Sequence, residues 1–358
     1  MTATEGAVLE IDLAAIAANW RSLAAQHPTG PVAGVVKADA YGLGATRVAP
    51  ALFAAGCRHF FVAHLNEALA LRPLLPGAMI AVLNGPLPGT EPAYLTHDIT
   101  PVIGTRDAIA RWSQPDLALH PAILHIDTGM NRLGLDAHDI AALRADPTQL
   151  ARLTLRFVMT HLVSSEMPDD AENLRQAAAF AAARTLVPDT PHSLANSSGL
   201  FLGPRFASAL ARPGAALYGI NPTPGLRNPM QPTVRLRARV LQVRDIAPGD
   251  SVGYNATWRA ARPSRIATAC VGYADGWPRS LSGRGHAIFD ARAVPLVGRV
   301  SMDLTTYDVT DFPSIAPGAW LDLIGPGIPI DAVADAAETN GYEILTRLGA
   351  RYARTWRT

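Results

Sequence analysis

The chain has 358 residues, 49% of them hydrophobic, and 31 Lys+Arg against 30 Asp+Glu for a formal net charge of +1. That length fits two domains or one large barrel with an appendage. The near-neutral balance argues against nucleic acid or an anionic membrane as the main partner. Cys57 and Cys270 are too few and too far apart for a disulfide scaffold or a thiolate zinc site. No charge-free apolar run is long enough to span a bilayer, and the start M-T-A-T-E-G-A-V-L-E lacks a basic-then-apolar leader. The expectation is a soluble, reduced, cytoplasmic protein without a metal.

In chain order, Val8–Ile11 reads as a short strand. Asp12 then caps a helix predicted over 13–26, whose Leu13, Ile16, Ala17, Trp20, Leu23 and Ala24 recur at helical spacing. Strand-like apolar runs follow near 32–37, 60–64, 79–84, 99–103, 122–127, 154–161, 192–196 and 209–213. Helical stretches lie between them at 45–55, 66–73, 105–113, 136–145 and 171–186, the last rich in Ala. Eight strand–helix units over about 200 residues predict an α/β fold, a (β/α)8 TIM-like barrel, with a doubly wound sheet as the competing arrangement. The pattern changes after Asn228. From Thr233, the apolar Val234, Leu236, Ala238 and Val240 alternate with Arg235, Arg237 and Arg239, which is the period of a half-buried antiparallel strand. Turn signals at 247–250 and 316–319 separate further short β-rich runs. The expected organisation is a barrel over 12–228 and a mostly β C-terminal domain over 229–358, to which the strand within 1–11 also belongs.

One count bears on chemistry. Of the 31 basic residues, 30 are Arg and one is Lys, namely Lys37. Surface charge is rarely specific, so Arg serves wherever a cation alone is wanted. Arg cannot act as a neutral amine nucleophile, whereas a desolvated Lys can lose its proton, attack a carbonyl and form an imine. Lys37 is therefore either a Schiff-base lysine or a survivor of compositional drift toward Arg. Its place at the end of the buried run Val32–Val36, just before a glycine-containing turn, favours the first reading.

Other polar residues fall at strand ends, where barrels gather their chemistry. Strand five runs into H-I-D-T-G-M-N-R-L-G and delivers Arg132. Strand six ends at His161, strand seven at Asn196 and Ser197, and strand eight at Arg212 and Gly214. Each has an ordinary structural reading as a packed His, a loop ion pair or a helix cap. The fan of six on one face is harder to explain that way. Ser197 and the amides near Gly214 lie where such barrels bind phosphate. A phosphate-bearing aldehyde that forms an imine with one lysine suggests pyridoxal 5′-phosphate.

The segments V-V-K-A-D-A-Y-G-L-G (35–44), D-T-G-M-N-R-L-G (127–134), T-H-L (160–162), A-N-S-S (195–198) and R-P-G-A-A-L-Y-G (212–219) resemble alanine racemases closely, in order and in spacing. The resemblance continues through V-G-Y (252–254), G-Y-A-D-G-W (272–277), G-R-V-S-M-D (298–303) and Y-E-I-L (342–345). It implies a PLP-dependent isomerase interconverting L- and D-alanine, the D-form feeding peptidoglycan. It also implies a head-to-tail homodimer in which each site is completed by the partner's C-terminal domain. Lys37 would carry the cofactor and act as one base, and Tyr254 of the other subunit would be the opposing base. Tyr41, Asn196, Ser197, Gly214, Ala215 and Tyr342 would surround the phosphate. Arg212 would face the pyridine nitrogen and His161 would link Arg212 to Tyr254. Arg132 and the Met302 amide would address the substrate carboxylate, and Tyr273 would help form the entry gate. An Arg facing the pyridine nitrogen keeps that nitrogen unprotonated, which weakens the electron sink and disfavours side reactions.

Two departures stand out. Many relatives carry a lysine seven residues before the Arg132 position, carbamylated so that it orients that Arg; here the residue is His125, and no second lysine exists. The expectation is that His125, a bound anion or another acceptor takes its place. Asn255 also stands where many relatives have Gly, although Asn tolerates positive φ better than most residues. Three alternatives are weaker. A fold-related PLP-dependent amino acid decarboxylase would want an acidic partner for the pyridine nitrogen, and a non-enzymatic PLP-binding protein would lack the second domain. An imine-forming aldolase would need no PLP.

Overall fold

The computed structural model describes residues 5–358, so residues 1–4 of the N-terminal segment 1–11 lie outside the described residues. The described chain forms two compact units. One comprises Ile16–Leu217 with Asn221–Met230; the other comprises the residues up to Ala15, Tyr218–Ile220 and Gln231–Thr358.

In the first unit, seven parallel strands follow one another around a sheet: Gly34–Val35, His59–Val62, Met79–Val82, Thr100–Ile103, Ala122–His125, Leu155–Met159 and His192–Ser193. The expected eighth strand, 209–213, appears as hydrogen bonds rather than as a regular ladder. Ala209 N–H donates to the His192 carbonyl (2.9 Å) and Arg212 N–H to that of Ala195 (2.8 Å) on one flank. On the other flank Ala33 N–H donates to Ala211 (2.8 Å), and Ala211 N–H to Pro31 (3.1 Å). The segment thus joins the last strand to the first and closes the barrel, leaving no open edge. Strands buried on both faces explain the near-continuous apolar runs in the sequence. Inside the barrel Ala33, Val35, Phe61, Ala81, Val102, Ile123, Phe157, Met159 and Leu210 pack into one cluster, so the barrel is filled rather than hollow. Ala45–Ala55, Arg106–Trp112, Ala137–Ala145 and Ala171–Ala183 are helices near their expected places. A short helix over Glu91–Thr96 was not legible from periodicity, being only 6 residues long.

The second unit is built on one long strand, Val234–Ile246, whose residues alternate between buried and partly exposed over its first half as the sequence pattern requires. It pairs antiparallel with Ala7–Asp12, Trp320–Ile324 and Ser264–Ala269. Ala353–Arg357 adds a parallel partner to Ala7–Asp12, so the two ends of the described chain meet in one sheet. The expected Asp12 cap is present: Ala15 N–H donates to Asp12 Oδ1 at 2.7 Å, opening the helix Leu13–Gln26. A two-stranded ribbon, Ser251–Val252 with Trp258–Arg259, carries the Tyr254 turn at its tip. Val252, Ile266 and Val297 pack beneath it.

Candidate active site

The first barrel strand ends at Val35 and the chain then does something rare for L-residues. Ala38, Asp39, Ala40 and Tyr41 all take φ between 52° and 56°, a left-handed helical turn without a glycine in it. Such a conformation costs roughly 1–2 kcal/mol per residue, so the surroundings must hold it. Asp39 Oδ1 accepts the Ala45 N–H (2.7 Å) and its carbonyl accepts the Gly44 N–H (2.9 Å), pinning the turn to the start of the next helix. The result places Lys37 at the strand's mouth and folds Tyr41 back against the barrel core.

Around Lys37 the strand ends gather positive charge. Arg212 is 5% exposed, and its guanidinium donates to the Ser193 hydroxyl and to the Thr160 carbonyl. Burial pulls its pKa down to about 10, which still leaves the guanidinium charged at neutral pH. Burial first, and then the charges of Arg212, Arg132, Lys37 and His125, push His161 down to about 3. Burial, Arg212 and Arg132 outweigh Asp127 and push His125 down to about 4. Both imidazoles are therefore neutral near pH 7. Lys37 is also lowered, by burial and then by Arg132, with Glu67 acting in the opposite direction. Arg132 lies on an exposed loop tied by Asp127 Oδ1 to the Gly129 and Met130 amides (2.8 and 2.9 Å). It acts on the site through charge. No hydrogen bond joins it to His125 among the described residues, where the two interact through charge; a bound anion or another acceptor is the other expected orienting group.

A small cradle lies beside this group. Ser197 Oγ accepts the amides of Gly214 (3.0 Å) and Ala216 (3.2 Å). The Tyr41 hydroxyl fills the space that a Cβ at Gly214 would need, so only glycine fits there. Burial raises the Tyr41 phenol to about 12, leaving it a neutral donor. Ala215 opens the short 3-10 helix Ala215–Tyr218. Asn196 Oδ1 accepts from Ser165 Oγ (2.9 Å) and the Gly199 amide (2.8 Å), which fixes the loop bearing Ser197. Hydroxyls, amides and a residue too small to block them, close to a lone amine, suit a phosphorylated aldehyde.

The structure thus brings together Lys37, Tyr41, Arg132, His161, Asn196, Ser197, Arg212, Gly214 and Ala215 in the first unit. Tyr254, Tyr273, Met302 and Tyr342 belong to the second. There Tyr254 is 66% exposed, Met302 54% and Tyr273 41%. Tyr273 and Met302 are neighbours: the Tyr273 amide donates to the Ser301 carbonyl (2.9 Å) and the Ala274 amide to that of Met302 (2.9 Å). Asn255 adopts φ 61°, a left-handed position for which Asn is suited. Tyr342 stands in the first turn of the helix Gly341–Arg347.

Sequence reasoning missed a layer of supporting residues. Buried Gln176 donates to Thr128 Oγ1 (3.1 Å) and the His161 carbonyl (3.0 Å), and its own Oε1 accepts the Val163 amide (2.8 Å). The Thr128 and Thr160 hydroxyls bond at 2.8 Å, so the Arg212 acceptor and the His161 backbone share one network. Asn173 and Gln176, polar residues one turn apart on the buried face of an Ala-rich helix, were the available signal.

An amine at the mouth of a closed barrel, an anion cradle and a buried guanidinium define an enzyme of the pyridoxal-phosphate class built on a TIM-like barrel. The family models for the alanine racemase N-terminal and C-terminal domains match residues 11–222 and 233–356. The chain is 61% identical over 348 residues to the alanine racemase of Acidiphilium cryptum, covering 97% of each chain. It is 51% identical over 357 residues to that of Rhodospirillum rubrum, covering 98% and 96%. Among solved structures, alanine racemase from Bartonella henselae, with covalently bound pyridoxal phosphate, superposes with a TM-score of 0.95 at 41% identity, covering 98% and 99%. The biosynthetic alanine racemase of Pseudomonas aeruginosa gives 0.93 at 34% identity, covering 99% and 100%. The chain belongs to the alanine racemase family.

Proposed function

We propose that this chain racemises alanine with two bases acting on opposite faces of the α-carbon, Lys37 and Tyr254. Pyridoxal 5′-phosphate supplies, when bound, an aldehyde for amines and a conjugated ring that spreads charge from the α-carbon. Lys37 holds the cofactor through its ε-amine. Its lowered proton affinity makes a neutral amine accessible for taking a proton. Tyr254 exchanges the proton on the other face. Arg212 keeps its own protons and presents donors, so a ring nitrogen facing it stays an acceptor. Neutral His161 can pass a hydrogen bond between Arg212 and the Tyr254 hydroxyl. Tyr41, Asn196, Ser197, Gly214, Ala215 and Tyr342 form or brace the phosphate cradle. Arg132 and the Met302 amide orient the substrate carboxylate, and Tyr273 narrows the entrance.

Tyr254, Tyr273 and Met302 are too exposed to work alone, and water would compete at each. We infer a homodimer in which a second copy's Tyr254, Tyr273 and Met302 complete the site. The enzyme would act in the cytoplasm, its product D-alanine feeding the building of peptidoglycan precursors. The observation that carries the reading is the lone lysine set among Arg132, His161 and Arg212 at the barrel mouth. Incubation with L-alanine in deuterated water tests it. Loss of optical activity with deuterium entering the α-position is expected. Carbon dioxide release without racemisation would replace it with a decarboxylase.

A further inference from the structure

The left-handed turn after Lys37 is held at its far end by Asp39, and at its near end by a residue from the next strand–helix unit. Glu67 lies in the first turn of the helix Leu65–Leu71. Its Oε1 accepts the Ala38 N–H at 2.6 Å, immediately after Lys37. Its Oε2 accepts the Ala63 and His64 amides at 2.8 and 2.9 Å, at the end of the second barrel strand. One carboxylate therefore bridges two neighbouring strand ends, and one of them carries the amine.

We propose that Glu67 is a positioning residue for Lys37: it fastens the strained turn to the adjacent loop and sets a negative charge beside the ε-amine. The proposal rests on Lys37 being the cofactor-bearing amine. Both oxygens of Glu67 accept from backbone N–H donors. Gln would turn an NH2 toward one of those donors, and Asp would fall a methylene short, so neither substitute satisfies all three amides. The charged and titratable groups facing Lys37 are Arg132, His161 and Glu67. Of these only Glu67 is negative, and it opposes the loss of the amine's proton that burial and Arg132 promote. The fixed carboxylate opposes that loss of basicity while the turn holds the direction of Lys37.

The single lysine makes a clean test, because nitrogen-15 lysine label reports one side-chain amine in the full-length chain. In the cofactor-free protein, Glu67→Gln should lower the midpoint of the Lys37 amine titration by about half a pH unit or more. In the cofactor-loaded protein it should speed hydrogen exchange at the Ala38 amide by about tenfold or more. Glu67→Asp keeps the charge and loses the reach, so exchange at Ala38 should rise while the midpoint moves less. A folded Glu67→Gln protein with parental midpoint and parental exchange overturns the proposal, even where borohydride still fixes the cofactor to Lys37. Should Glu67→Gln not fold, parental exchange at Ala38 in Glu67→Asp overturns it equally. Borohydride trapping that misses Lys37 in the parent chain overturns the functional reading itself, and this inference with it.

Discussion

Lys37, His125, His161 and Arg212 sit inside the barrel mouth, where burial lowers the proton affinity of each and neighbouring cations lower it further at Lys37 and the two histidines. Tyr254, Tyr273 and Met302 stand out from the second unit with 41% to 66% of their surface in solvent. The first group is organised before any ligand arrives, at an electrostatic cost the fold has already met. The second is exposed in the single chain, and under the proposed dimer its role depends on the second copy that would cover it. A charged cluster needs a rigid, closed scaffold, and the barrel provides one; the proposed role of Tyr254 across a dimer interface requires it to be exposed in the single chain.

The difference is broken most severely at Lys37. Lys37→Ala removes the only ε-amine and should lower turnover on the order of 10⁴-fold or more at any pH, with no borohydride-fixed cofactor in peptide maps. Partial recovery on adding a small primary amine would show that the rest of the site is intact. Tyr254→Phe tests the other side. It should cost roughly 10²–10⁴-fold in turnover, the range for a lost proton-transfer group, more for L- than for D-alanine. Cofactor affinity should hold, and stability should move by less than about 0.5 kcal/mol because the side chain is exposed. Near-native turnover would remove Tyr254 from the mechanism.

Gly214→Ala sharpens the comparison inside the barrel. The new methyl would collide with the Tyr41 hydroxyl, so one of the two must move. Cofactor affinity should fall about 10- to 100-fold, the effect of an ångström-scale displacement. Combining it with Tyr41→Phe should recover little, because the phenol is lost in place of the clash. A fluorescence titration with pyridoxal phosphate reads both.

The depressed histidines give the barrel mouth a pH signature. In the fold His161 titrates near 3 and His125 near 4, against 6.5 for the ordinary side chain. Between those values the unfolded chain binds protons that the folded chain refuses. Stability is therefore full above about pH 6.5 and falls as the pH drops toward 4, with His161 contributing down to 3. Each can add at most about 1.4 kcal/mol per pH unit to the slope. Urea midpoints measured from pH 7 to 4 should decline less steeply in His125→Asn and in His161→Gln than in the parent. Parallel curves would mean that these imidazoles are not held neutral.

Much of this was legible from the chain because its signals were local or compositional. A lone Lys among Arg residues needs no partner to be noticed, and the period-two pattern from Val234 names its own buried face. What stayed hidden was held by partners remote in sequence. Nothing in A-D-A-Y announces a left-handed turn, since the clamp at Ala38 comes from 29 residues away. The Gln176–Thr128 bond spans 48 residues, and helix periodicity only marks Gln176 as a polar residue on an apolar face. The eighth strand was legible in position but not in form, because its bonds run to two different strands rather than along one ladder. His125 shows the opposite limit. Its sequence position made it one of three candidates for orienting Arg132, and the fold buries it as a neutral imidazole influenced by Arg212, Asp127 and Arg132.

The smallest expected effect lies in the Tyr254 turn itself. Asn255 holds φ 61° and ψ 17°, and Ala256 follows at φ 46°. Glycine adopts this region freely but gives the unfolded chain more freedom, so the two terms of Asn255→Gly oppose each other. Its stability should stay within about 0.5 kcal/mol of the parent. Val has no such escape: its branched Cβ is at odds with positive φ, and Asn255→Val should cost roughly 1–2 kcal/mol or flip the turn out of the left-handed region. Thermal melts read the first outcome, and turnover reads the second, because a flipped turn re-aims the Tyr254 hydroxyl. If Asn255→Val kept both parental melting and parental turnover, the turn would not be what directs Tyr254. The aim of that side chain would then be set wholly by the surface that covers it, and the contrast between a preorganised barrel and an interface-dependent tyrosine would be sharper still.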